Sequence, residues 1–66
     1  MKTDIKRLNL LRAHFVSERE HKIFLLEEGE HLTNEEKAIL SDEVDKLLEK
    51  IYNIDEAIAR VRNSHN

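Results

Sequence analysis

From Leu40 to Val61 the apolar residues recur at alternating spacings of four and three: Leu40, Val44, Leu47, Ile51, Ile54, Ile58 and Val61. That alternation keeps one stripe on one side of a helix, and such a stripe lies against another helix. The sequence just before it supplies a start signal. Thr33-Asn34-Glu35-Glu36 has the form T-x-x-E, in which the Thr hydroxyl accepts from the N–H three residues on and the Glu carboxylate reaches back. A helix is therefore predicted over about 34–62, with a frayed tail at 63–66.

The first half carries a weaker stripe: Ile5, Leu8, Phe15, Val16, Ile23 and Leu26. It predicts a helix over about 3–28, with Thr3 as N-cap and Asp4 in the first turn. A polar stretch from Ser17 to Lys22 interrupts the stripe, and Ser17-x-x-Glu20 offers a second capping box that would divide this half. Arg12 and Arg19 continue the stripe through the gap, which favours one unbroken helix. Gly29 is the single glycine, and its place after Leu25-Leu26-Glu27-Glu28 predicts a left-handed helix end, with a turn over 29–32.

Two helices of ~40 Å each, joined by a short turn, run antiparallel. With the turn near His31, residues whose numbers sum to about 63 should face each other. This pairs Ile23 with Leu40, Val16 with Leu47, Leu8 with Ile54 and Ile5 with Ile58. It also sets Arg19 beside Glu43 and Val44, and Arg12 beside Ile51. The predicted fold is thus all-α, one antiparallel two-helix hairpin of coiled-coil type over residues 1–66. Two helices bury little, so dimerisation into a four-helix bundle is the natural route to more core. Leu10, Phe24, Leu25, Leu48 and Tyr52 fall off the seam and suggest such an interface.

Composition narrows the function. The chain has 38% charged and 39% hydrophobic residues, no Pro and no Cys. That suits long helices and excludes disulfides and thiolate metal sites. A net charge of −3 with interspersed signs argues against a nucleic-acid partner. No apolar run approaches membrane-spanning length, and Met1-Lys2-Thr3-Asp4 does not resemble a signal peptide, so a cytoplasmic location is expected. His14 and His21 are seven residues apart, His31 lies in the turn and His65 in the tail. No His pair has i, i+4 spacing, and neither a metal site nor a resident cofactor is expected. Ser41 has no His at triad distance in the hairpin.

Around the first knobs of the seam, steps of ~100° per residue place Ser41 and Asp45 on one flank with Leu48 and Tyr52. Asp42 points to solvent and Glu43 falls on the opposite flank. The plain reading is a solvated acidic first turn that suits the helix dipole. Arg19, on the inner stripe, reads as a structural ion-pair partner or as a group that positions these acids.

The run from His31 through Ser41-Asp42-Glu43-Val44-Asp45 to Leu47, Leu48 and Tyr52 resembles the second half of the stage zero sporulation protein E family. These are small aspartyl-phosphate phosphatases of spore-forming bacilli. Ser41, Glu43 and Asp45 match the family's Ser-Gln-Glu-Leu-Asp signature, and Val44 replaces its Leu. Arg19 or Arg12 stands for the Arg common in the family's first helix. The resemblance implies a helical hairpin that dephosphorylates the phosphorylated response regulator stage zero sporulation protein A and so restrains sporulation through the phosphorelay. It implies Ser41, Asp42, Glu43 and Asp45 as catalytic positions, with Val44, Leu48, Tyr52 and Arg19 meeting the partner. The Mg²⁺ would be the regulator's. One position departs: Asp42 stands where the family has Gln. An amide both donates and accepts, whereas a carboxylate only accepts and brings negative charge toward a phosphoryl group. The alternative is a non-catalytic helical hairpin that binds a partner or itself.

Overall fold

The structure, a computed structural model, describes residues 2–64. It contains two helices, α1 (Lys2–Glu27) and α2 (Asn34–Asn63), packed side by side as an antiparallel hairpin. The molecule is a rod of 51 × 14 × 11 Å. No described helix is long and apolar enough to cross a membrane.

The α2 seam does what its spacing demands. Val44, Leu47, Ile51, Ile54 and Ile58 are buried, while Leu40 and Val61 at its ends are half-buried. Among the described side chains of α1 none reaches the same burial; Ile5, Leu8, Phe15, Val16, Ile23 and Leu26 are all half-buried. The cause lies in the α1 heptad line. Read at spacings of three and four it runs Ile5, Leu8, Arg12, Phe15, Arg19, Lys22, Leu26, with basic residues at three of its seven positions. A long basic side chain lays its methylenes on the core and carries its head outward.

Two of those heads find carboxylates on α2. Arg12 Nε donates to Asp55 Oδ1 at 2.6 Å, and Lys22 Nζ donates to Glu43 Oε2 at 2.6 Å. Glu43 thus belongs to Lys22 and not to Arg19, and the carboxylate that receives Arg12 is Asp55. The paired numbers sum to 65 and 67, above the 63 expected from the turn. Side chains on a helix lean toward its N-terminus. A long Arg or Lys on α1 therefore reaches along α2 toward its C-terminal end. Arg19 lies between these pairs; its Nε is buried and makes no hydrogen bond.

α1 is continuous through Ser17. The apolar and basic residues that continue the heptad line past it outweigh a local cap. The helix already includes Lys2 and Thr3, so Thr3 sits inside the first turn and is not the N-cap.

The turn also differs from expectation at Gly29, whose φ is not positive. What glycine supplies is space. A Cβ there would stand 2.8 Å from Leu32 Cδ1 and 2.9 Å from the Leu25 carbonyl oxygen. The chain reverses through a tight turn in which the Glu30 N–H donates to the Glu28 carbonyl at 2.8 Å, followed by Leu32 N–H to Gly29 at 3.1 Å. At the far end Ser64 closes α2. Its N–H donates to the Arg60 carbonyl and its hydroxyl to the Val61 carbonyl, and α2 runs through Asn63. Met1, His65 and Asn66 lie outside the described residues.

The capping box at Thr33 is complete. Glu36 N–H donates to Thr33 Oγ1 at 3.1 Å, and Thr33 N–H donates to Glu36 Oε1 at 3.0 Å. These bonds, the backbone N–H first, hold the Glu36 carboxyl below its ordinary pKa. A carboxyl with a lowered folded-state pKa binds protons more tightly in the unfolded chain. Its contribution is therefore present above the unfolded value and lost as pH falls through the folded one. Acid titration of helix content is expected to show a loss beginning as pH drops below the ordinary Glu range. Glu36→Gln should flatten that part of the curve; an unchanged curve would assign the acid sensitivity elsewhere.

Candidate functional site

α2 presents two flanks on either side of its buried seam, and the cross-helix ion pairs mark which is which. Ser41, Asp45, Leu48 and Tyr52 follow one another at helical spacing on the flank that also carries Asp55. Glu43, Lys46 and Lys50 lie on the other flank, where Lys22 meets Glu43 and Lys50 Nζ sits 5.4 Å from the centre of the Phe15 ring. Such a placement is an attractive cation–π contact.

The four motif side chains therefore do not converge. Ser41 and Asp45 are exposed and share a flank. Asp42 points outward and its carboxylate takes the Lys46 ammonium at 3.0 Å, one turn along. Glu43 is half-buried on the opposite flank, held by Lys22. The hydrogen bond to Glu43 is the main reason the Lys22 pKa is raised, and the bond to Asp42 does the same for Lys46. Among the described residues Asp45 is the one acid of the motif in no ion pair. Val44 is only 8% exposed and belongs to the seam. It faces α1 and has no surface for a partner, contrary to its expected docking role. Arg19 is held in the seam as well, half-buried.

The acids of the motif are not first-turn residues either. α2 begins at Asn34 and its first-turn acids are Glu35 and Glu36. Asp42 and Asp45 stand in the third and fourth turns, where the dipole has faded. The plain electrostatic account thus belongs to Glu35 and Glu36 and leaves Asp45 without a structural role.

Beside Asp45 the flank is apolar and open. Tyr52 is 60% exposed, and Leu48 is half-buried. The hairpin's clefts lie elsewhere. One of about 500 Å³ opens at the end far from the turn, between Arg12, Asp55 and Arg62. Another of about 160 Å³ lies on the opposite flank between Lys22, Glu43 and Lys50. Neither is lined by Ser41, Asp45, Leu48 or Tyr52. The candidate flank is therefore a convex strip, suited to entering or covering a partner's surface and not to enclosing a small molecule. Among the described residues no three His, Asp or Glu side chains come together as a metal-binding group.

The pair Arg12–Asp55 escaped the sequence reading because Asp55 lies off the seam. The Asp42–Lys46 pair, also unforeseen, carries a local signal in the i, i+4 spacing of an acid and a base. Comparison of the chain with protein-family models, curated proteins and solved structures finds no match to any of them.

Proposed function

We propose that the chain is an aspartyl-phosphate phosphatase of a response regulator, as its resemblance to the stage zero sporulation protein E family implies, with the sporulation regulator stage zero sporulation protein A as the target. The observation that supports this reading is the strip of Ser41, Asp45, Leu48 and Tyr52. It combines an unpaired carboxylate, a hydroxyl and an apolar rim on a convex helix surface. Docked at a regulator's phosphorylated aspartate, Asp45 would accept a hydrogen bond from the attacking water or pair with a lysine of that site. Water would add in line at phosphorus as the acyl phosphate P–O bond breaks, releasing phosphate and restoring the regulator's carboxylate. The regulator would supply its own Mg²⁺, and this chain would contribute position and orientation.

A second reading is a non-catalytic hairpin that binds the regulator or another protein. The ion pairs of Asp42 with Lys46 and of Glu43 with Lys22 favour it, since they occupy two of the three motif carboxylates. Loss of phosphate from the phosphorylated regulator separates the two. The wild-type chain is expected to accelerate that loss. Asp42→Gln, which removes a negative charge and adds a donor, is expected to raise the rate several-fold. If neither protein shortens the regulator's phosphorylated lifetime, the binding-module reading replaces the catalytic one.

A further inference from the structure

The face of α1 turned away from α2 carries apolar residues that the hairpin does not cover. Leu10 is 64% exposed and Phe24 is 55% exposed, and each has an exposed apolar neighbour, Leu11 and Leu25. The two pairs are fourteen residues apart, close to four turns or ~21 Å along the axis, so they lie on one side of the helix. Between them His14, Ser17, Glu18 and His21 are exposed. Beyond the pairs basic residues predominate at one end, where Asp4 is the one described acid, and acidic residues at the other. Lys6 and Arg7 stand toward the N-terminal end, Glu27 and Glu28 at the C-terminal end, all exposed. None of the four takes part in an ion pair within the described hairpin. Glu27 and Glu28 moreover occupy the end of α1 where negative charge opposes the helix dipole, and no basic residue offsets them in the last turn.

We infer that this face binds the same face of a second copy of the chain, with the two α1 helices antiparallel. A two-fold axis passing between Ser17 and Glu18 sets opposite each other residues whose numbers sum to 35. Leu10 then meets Leu25 of the other copy and Arg7 meets Glu28, while Leu11 and Phe24 stand at the two edges of the contact. Each residue of a pair occurs once on each copy, as an isologous interface requires. His14 meets His21 at the polar middle, with Glu18 of each copy beside them. A parallel arrangement would also bring the apolar pairs together, but it would set Arg7 on Arg7 and Glu28 on Glu28. Charge therefore selects the antiparallel form, because like charges placed opposite one another are strongly disfavoured. The acidic end of each α1 gains the basic end of the other. Both α2 helices stay on the outside of the assembly, so the dimer does not depend on the proposed function and leaves the Ser41–Tyr52 strip open on each copy.

Sedimentation of the full chain from micromolar to millimolar concentration tests the interface. The wild type is expected to show a reversible dimer. Leu10→Glu combined with Phe24→Glu should weaken self-association roughly a hundredfold with the helical circular-dichroism signal retained, because both side chains are exposed. Arg7→Glu and Glu28→Arg should each weaken the dimer roughly tenfold, and the double reversal should restore it, because the opposite charges are then exchanged across the axis. A monomer at millimolar concentration would overturn the inference. So would a dimer indifferent to Leu10→Glu with Phe24→Glu. A double reversal no tighter than the single ones would exclude the antiparallel pairing.

Discussion

Asp45→Ala is expected to abolish dephosphorylation of the phosphorylated regulator while the hairpin stays folded. Asp45 is exposed and takes part in no ion pair among the described residues, so its removal leaves no buried partner unsatisfied. Surface changes of this kind stay within about ±0.5 kcal/mol of the parent stability. The loss of activity would then come from the docked complex and not from the fold. The measurement is the lifetime of the phosphorylated regulator beside a helical circular-dichroism spectrum of the variant. A variant with full activity would remove Asp45 from the site and, with it, the assignment of the motif. Asp55→Ala serves as the counter-test, since it lies farther along the same flank but is engaged with Arg12. It should disturb the hairpin more and the chemistry less.

The largest effect on stability is expected at the middle of the α2 seam. Ile51 is buried, and truncation to Ala leaves a cavity that two thin helices close poorly. Such a change costs about 2–5 kcal/mol, a large part of the total stability of most domains. Urea denaturation of Ile51→Ala should show a midpoint far below that of the parent, or no folded baseline at all. Tyr52→Ala, one position along, should leave the midpoint close to the parent value because that ring is mostly in water. Equal losses at 51 and 52 would mean that the seam is covered on a second side in solution.

The α2 seam and its cap were legible in the sequence because both are local. A four-three spacing of aliphatics and a T-x-x-E signal each fix their own geometry, whatever the rest of the chain does. α1 was harder to read, since Arg12, Arg19 and Lys22 stand where aliphatics would mark the stripe. Counting from the turn gave approximate neighbours, but the length and lean of those side chains decided which carboxylate each reached. The same limit applied to Gly29. Its position announced the helix end, but only the approach of Leu32 and the Leu25 carbonyl reveals that it serves by lacking a Cβ. In the candidate site the flank shared by Ser41, Asp45, Leu48 and Tyr52 followed from helical steps alone. The capture of Glu43 by Lys22 did not, because it joins positions on two elements.

The basic line on α1 divides strength from selectivity. The aliphatics of α2 would accept almost any apolar stripe, since hydrophobic contact carries no direction. A stripe without cations at the positions of Arg12 and Lys22 would leave Asp55 and Glu43 beside the core without counter-charges, which a wrong partner or a slipped register cannot mend. The fidelity of the hairpin thus resides in a few ionic groups at its edge, while its cohesion resides in the oily row between them.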